Sequence, residues 1–279
     1  MVGGSDRQGS APLAGLRVLV TRPAPQAAPL ADGLVALGAE PVLFPTIEIL
    51  PPADDGPLRR AAARLHPYDW LVFTSVNGVD RFCEQPALAC KPGSERDRRW
   101  PRIACIGPAT AAAVEARGLP VELVPDRYVA EALLESMERS PHPLAGARVL
   151  LCRAAEARDV LPQGLERLGA RVDVVEAYRT RTVSPGPEAE RVGRLLKEGR
   201  IHVLTFTSSS TVRGFAAAVG PCAGSALVAV IGPITAETAR QAGLPVHVEA
   251  EEYSIAGLLR GLVDRVGGSA APALEEEDR

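Results

Sequence analysis

Aromatic residues are scarce, 4% of a 279-residue chain in which 46% of residues are hydrophobic, so any core must be built from Ala, Val and Leu. Positive charge is not in excess either. The formal net charge is −3, and no Lys/Arg stripe with interleaved aromatics occurs. Nucleic acid is therefore not an expected partner. The run Glu95-Arg96-Asp97-Arg98-Arg99 mixes signs and reads as a solvated loop. The five cysteines (Cys83, Cys90, Cys105, Cys152, Cys222) are odd in number and show no C-x-x-C spacing. That argues against disulfides and zinc; Cys105 and Cys152 lie in apolar runs and read as small core residues. Free thiols fit a reducing compartment. No apolar run approaches the length of a membrane span, and residues 1–14 lack the apolar stretch of a secretory signal. The expected location is cytoplasmic. Residues 1–12 and 267–279, the latter ending in an acidic cluster, are expected to be disordered tails.

Several motifs are missing too. There is no G-x-G-x-x-G, no P-loop and no G-x-S-x-G elbow. His66, His142, His202 and His247 stand apart, without metal-ligand spacing, so no metal site is expected. The first three are expected in surface loops ahead of strands, the fourth at a strand edge. Asp54-Asp55 and Glu251-Glu252 read as solvated loop acids.

What the chain does contain is an internal repeat. LAGLRVLVTR, ending at Arg22, matches LAGARVLLCR, ending at Arg153. WLVFTSVNGV from Trp70 matches VLTFTSSSTV from Val203, and ACIGPAT ending at Thr110 matches AVIGPIT ending at Thr235. Three matches in one order make a duplication. Each copy alternates short apolar strands with amphipathic helices. Strands are expected at 17–20, 41–44, 70–73, 103–106 and 121–124 in the first copy. In the second they fall at 148–151, 171–175, 203–206, 227–231 and 246–248. Helices over 58–65, 130–137, 188–198 and 254–266 are expected among those between them, two others ending at Gly118 and Gly243 as a C-cap requires. Such alternation implies parallel sheets covered on both faces, an α/β fold of doubly wound, flavodoxin-like type. Two extended stretches, 44–52 and 176–183, break the rhythm and read as ladder-forming connectors.

Ligands of open α/β sheets bind beyond the carboxyl ends of the strands. Four polar loops are expected there, at Thr74–Gly78, Gly107–Thr110, Thr207–Thr211 and Gly232–Thr235. Each precedes a helix. Their hydroxyls could be simple caps, or the free N–H groups and positive dipole end could receive an anion. Four loops with more hydroxyls than capping needs favour the anion. Arg22, at the end of the first strand, could face a carboxylate or pair with a nearby loop. Tyr178, in the second connector, could be packing or could offer its phenol as a hydrogen-bond or proton donor.

Thr21-Arg22-Pro23 with Gln26, Phe73-Thr74-Ser75-x-Asn77-Gly78, Ile106-Gly107-Pro108-x-Thr110, Ala177-Tyr178-Arg179-Thr180, Phe206-Thr207-Ser208-Ser209 and Ile231-Gly232-Pro233-x-Thr235 together resemble the uroporphyrinogen-III synthase family. The resemblance runs from about Leu13 to Val266. It implies two flavodoxin-like domains, 13–44 with 182–266 and 51–174, joined by connectors 45–50 and 175–181, with substrate in the cleft between them. It implies cofactor-free cyclisation of hydroxymethylbilane, with inversion of ring D and loss of water. Tyr178 matches the tyrosine proposed to assist departure of the hydroxyl. Thr74, Ser75, Thr110, Ser209 and Thr235 match loop positions lining the cleft, and Arg22, Asn77, Thr207 and Ser208 are the further residues expected to bind substrate. Ile234 stands where some members carry Thr, and Ser208 where some carry Pro. A monomer, with transient handover of the bilane from hydroxymethylbilane synthase, is the further expectation. The alternative is a non-catalytic tetrapyrrole- or anion-binding regulatory module on the same scaffold, for which an attached DNA-binding domain would be expected.

Overall fold

The computed structural model describes residues 11–88 and 100–267. Cys90, the 95–99 run and nearly all of both expected tails lie outside them. The strands are β1 (Arg17–Val20), β2 (Glu40–Leu43), β3 (Ile47–Leu50), β4 (Trp70–Phe73), β5 (Arg102–Cys105), β6 (Arg148–Ala154), β7 (Arg171–Thr182), β8 (Val203–Phe206), β9 (Leu227–Val230) and β10 (Val248–Glu249). Between them run α1 (Ala28–Ala36), α2 (Gly56–Ala63), α3 (Val76–Cys83), α4 (Pro108–Glu115), α5 (Ala130–Glu138), α6 (Val160–Arg167), α7 (Pro187–Lys197), α8 (Ser209–Ala218), α9 (Pro233–Gln241) and α10 (Ile255–Gly267). No helix among the described residues is long and apolar enough to cross a membrane.

The chain divides after Glu48 and again after Arg181, giving an outer unit from the two end segments and a middle unit between them. The outer sheet has the order β10-β9-β8-β1-β2, and its neighbours pair in parallel. The second sheet runs β3-β7-β6-β4-β5, parallel from β7 to β5. The outer sheet follows the doubly wound order in which the first strand lies between the second and third, and in the middle sheet β6, the repeat counterpart of β1, takes that place between β7 and β4. The outer sheet joins the first copy's β1 and β2 to the second copy's β8, β9 and β10. The middle unit does the reverse, joining β6 and β7 to β4 and β5.

These strands form because their residues are apolar on both faces. Every residue of β4 and of β8 is buried, the mark of a central parallel strand covered by helices on each side. Each sheet accordingly separates two apolar clusters, one per face. The few aromatics are placed symmetrically. Phe73 and Phe82 meet edge to face at 5.5 Å, and their repeat counterparts Phe206 and Phe215 at 5.4 Å. Such pairs contribute about 0.5–1.5 kcal/mol beyond area burial. Gly118 and Gly243 adopt φ of 73° and 78° just past the helices they end, which only glycine does without strain.

Several sequence expectations are corrected. β7 is one strand of 12 residues, continuous through the point where a core strand was expected to give way to a connector. Its outer neighbour in the sheet is β3, whose ladder partnership prolongs it. β6 likewise runs on to Ala154. Residues 121–124 form no strand; Leu123 makes a single parallel bridge to Ala104. His202 lies in the loop ahead of β8, as expected, and its Nδ1 accepts the Arg17 N–H at 2.8 Å. His247 does the same for Val228 N–H at 2.9 Å. Each ring supplies the acceptor that an N–H at the start of a strand would otherwise lack.

Candidate functional site

The doubly wound order creates a switch point beside β1 in one sheet and beside its repeat counterpart β6 in the other, where crossovers leave in opposite directions and a crevice opens at the carboxyl ends. In the outer unit this lies between β1 and β8, and in the middle unit between β6 and β4. Thr21-Arg22 and Thr207 therefore flank one switch point, Arg153 and Thr74 the other. Thr21 is fully buried, and its hydroxyl donates to the Thr205 carbonyl at 2.7 Å, fastening the end of β1 to β8.

The two arginines differ. Arg153 pairs with Asp159 at 2.6 Å and donates to the Arg158 carbonyl. Arg22 donates from Nε to the Gln26 carbonyl at 2.9 Å and has no ion pair among the described residues. Burial pushes its pKa below the ordinary arginine value, as expected of a desolvated cation.

Two of the four loops are closed by serine caps. Ser75, in extended conformation, accepts the Gly78 N–H at 3.1 Å. Ser208 accepts the Thr211 N–H at 3.2 Å, while its own N–H donates to the Thr211 hydroxyl, completing a capping box. Ser209 is also engaged. Its hydroxyl lies 2.7 Å from that of Thr238 and 3.3 Å from the Ile234 carbonyl, tying the start of α8 to α9. Thr74 and Thr207 are half-buried, with hydroxyls that make no bond among the described residues.

The Gly-Pro loops are open. Neither Gly107 nor Gly232 supplies a side-chain cap. Among the described residues, the N–H groups of Ala109, Ile234 and Thr235 have no acceptor. Thr110 and Thr235, three positions beyond those glycines, are each only 5% exposed, and neither hydroxyl is bonded among the described residues. Neither oxygen is fully buried, so each keeps some contact with solvent. N–H groups, a positive helix end and a bare hydroxyl thus converge, a combination suited to a carboxylate.

Tyr178 sits in β7, 8% exposed. Its phenol lies close enough to Ser75 and Asn77 at the start of α3 for both to act on its pKa. Burial raises its pKa most, Ser75 and Asn77 pull it back, and Glu156 adds to the rise. The phenol is protonated at neutral pH and can donate. The buried thiols are inert by the same desolvation, Cys105 being pushed up to about 12 and Cys152 well above its usual value. Among the described residues no cluster of His, Cys, Asp and Glu could hold a metal ion. A cavity of about 620 Å³ opens at the opposite rim of the middle sheet, near Arg60, Arg64 and Arg148, and includes none of the loop residues.

The family model for uroporphyrinogen-III synthase HemD matches residues 28–260. The chain belongs to the uroporphyrinogen-III synthase family. It is 35% identical to the Synechococcus elongatus uroporphyrinogen-III synthase over 257 residues, 89% of this chain and 94% of that one. A uroporphyrinogen-III synthase from Chlorobaculum parvum is 29% identical over 239 residues, 85% and 93% of the two chains. Solved synthase structures share the fold. A mutant synthase from Thermus thermophilus aligns with a TM-score of 0.63 at 22% identity, covering 91% of this chain and all of that one. The Helicobacter pylori enzyme aligns at 0.57 with 18% identity, covering 89% and 98%.

Two residues of this synthase-family chain carry no signal that the sequence reading used. Tyr128 and Tyr253 pack on Gly107 and Gly232 respectively. Their spacing of 125 residues equals that between Thr110 and Thr235. Extending the third repeat match by 18 residues would have found them.

Proposed function

We propose that this chain acts as a uroporphyrinogen-III synthase through its strand-end loops, with Tyr178 as proton donor and the Gly-Pro-x-Thr turns as carboxylate receptors. The single observation that carries the reading is the pair of unbonded hydroxyls on the nearly buried Thr110 and Thr235, each at an uncapped helix start. Hydroxymethylbilane carries eight carboxylates, and each unit offers one such turn. Arg22, with its guanidinium free of acids among the described residues, supplies a further positive group beside the outer switch point. Thr74, Ser75, Asn77, Thr207, Ser208 and Ser209 complete the proposed binding set.

The chemistry needs little more than orientation and charge stabilisation. The pyrrole nitrogen of the terminal ring expels the hydroxyl at its hydroxymethyl carbon, and the departing oxygen takes a proton from the Tyr178 phenol to leave as water. The resulting azafulvene is attacked by the substituted carbon of ring D, forming a spiro intermediate. That intermediate fragments and recloses with ring D inverted, and the final carbon-bound proton is lost, which restores the phenol. Burial suits Tyr178 to this because it keeps the phenol neutral until the proton is called for.

A cytoplasmic monomer that receives the bilane from hydroxymethylbilane synthase completes the proposal. The direct test mixes purified protein with freshly generated hydroxymethylbilane and separates the oxidised porphyrins. Isomer III is expected. Isomer I alone, as in spontaneous closure, overturns the reading, and binding without turnover would instead support the regulatory-module alternative.

A further inference from the structure

Gly107 and Gly232 stand at the N-cap positions of α4 and α9 with backbone angles of −170°, 173° and 167°, −178°. Both are plain extended conformations, so torsion does not call for glycine. Space does. A Cβ at residue 232 would come within 2.9 Å of Tyr253 Cδ1 and 3.1 Å of its Cγ. At residue 107 it would lie 3.1 Å from both Cβ and Cγ of Tyr128. Each ring therefore fills the volume where an N-cap side chain would stand. Ser, Thr, Asn or Asp there would satisfy a first-turn N–H, as Ser75 and Ser208 do in the other two loops. At residue 232 the tyrosine excludes a cap and at residue 107 it crowds one by a few tenths of an ångström, and the helix donors are left available. Beside those donors sit the unbonded hydroxyls of Thr110 and Thr235, each side chain more than nine-tenths buried. The arrangement occurs once in each unit, at repeat-equivalent positions.

We propose that Tyr128 and Tyr253 are positioning residues whose rings keep the starts of α4 and α9 uncapped, so that a substrate carboxylate takes the place of the missing cap. The proposal rests on the synthase reading and extends it to residues that do not themselves perform the chemistry. The atoms that meet the glycines are at the base of each tyrosine side chain, from Cβ to Cε1.

The test compares four single variants of the full chain, Tyr128→Phe, Tyr128→Ala, Tyr253→Phe and Tyr253→Ala, with hydroxymethylbilane as substrate. Steady-state constants and melting temperature are measured for each. The Phe variants are expected to stay within about twofold of the parent, since they retain the ring. The Ala variants leave glycine at the N-cap, so the donors stay free; KM is expected to remain within about twofold of the parent while the melting temperature falls. The deciding measurement is the double variant Gly232→Ser with Tyr253→Ala, which gives the cap room to form. Its melting temperature should rise above that of Tyr253→Ala while its KM rises about tenfold, the size of one lost charge-assisted hydrogen bond, because the new hydroxyl consumes the donor. A purely structural role for the ring would leave KM at the parent value in both. An unchanged KM in the double variant, or a tenfold rise already in Tyr253→Ala, overturns the proposal while the synthase reading stands. A parent protein that makes no isomer III removes the synthase reading, and this proposal with it.

Discussion

The Thr74-Ser75 loop and its repeat counterpart Thr207-Ser208 begin with the same residues and the same extended N-cap geometry, yet they finish differently. Ser208 is closed by Thr211, which returns its hydroxyl to form a capping box. The matching position in the middle unit is Gly78, which has no side chain to return. Ser75 therefore keeps its cap bond and also meets the Tyr178 phenol. Tyr178 in turn corresponds to Ile47 in the first copy, which has no hydroxyl to offer. One duplicated loop has thus become a fastening and the other a support for an acid. Hydroxyls at a helix start mean little by themselves; what separates the two loops is the bonding left over after capping.

The most damaging break of this comparison is Thr235→Met. The side chain is 5% exposed, so a longer one must enter the space beside the helix start while removing the bare hydroxyl. A fall of about a hundredfold in kcat/KM is expected, comparable to loss of one transition-state donor. Next in size, Tyr178→Phe should lower kcat about tenfold to a hundredfold, within the range of general acid catalysis. Its stability should drop by only about 1 kcal/mol for the phenol's polar contacts. Denaturant unfolding alongside steady-state kinetics checks both numbers, and unchanged kinetics would take Tyr178 out of the mechanism.

A pair of smaller changes sharpens the contrast between the loops. Ser75→Ala and Ser208→Ala should each cost about 1 kcal/mol, the usual value of an N-cap. Only Ser75→Ala should also reduce kcat, because the phenol loses a partner that holds its pKa down. Equal kinetic effects from the two would show that the loops are not differentiated. The smallest effect is on pH dependence. The folded Tyr178 pKa lies above the unfolded value of about 10, so the native state holds the proton more tightly. Its stability contribution is intact below that value and declines as pH rises through the folded pKa. In Tyr178→Phe that part of the alkaline decline in melting temperature should disappear.

Much of the fold was legible because duplication and hydrophobic runs reinforce each other. The limits of β1, β4 and β8 read directly from Arg17–Val20, Trp70–Phe73 and Val203–Phe206, where every interior position is apolar or, at Thr205, small and β-branched. The length of β7 was not legible. Its run Arg171–Thr182 carries charged and polar side chains at many positions, and its continuity comes from neighbouring strands that no local pattern reveals. The bonds made by His202 and His247 were not legible for a related reason, since a ring that accepts a strand N–H is visible only once the register is known. Within the candidate site, sequence located the four loops but could not say which hydroxyls were already in use. Ser208 turns out to be bonded to Thr211 at its own helix start and Ser209 to Thr238 of α9, whereas Thr110 and Thr235 are unbonded among the described residues. Tyr128 and Tyr253 were hidden because a lone tyrosine after a loop carries no signature until the glycine it covers is known.

The claim on which the account rests is that the Gly-Pro-x-Thr turns hold substrate through hydroxyls left free by the fold. Replacing Thr110 and Thr235 by valine keeps the buried volume and removes only the hydroxyl, so KM for hydroxymethylbilane measures the claim most directly. Each replacement is predicted to raise KM about tenfold or more, as for a hydrogen bond to a charged group, with the melting temperature close to that of the parent. A double variant that binds and converts the bilane with unchanged KM would contradict it.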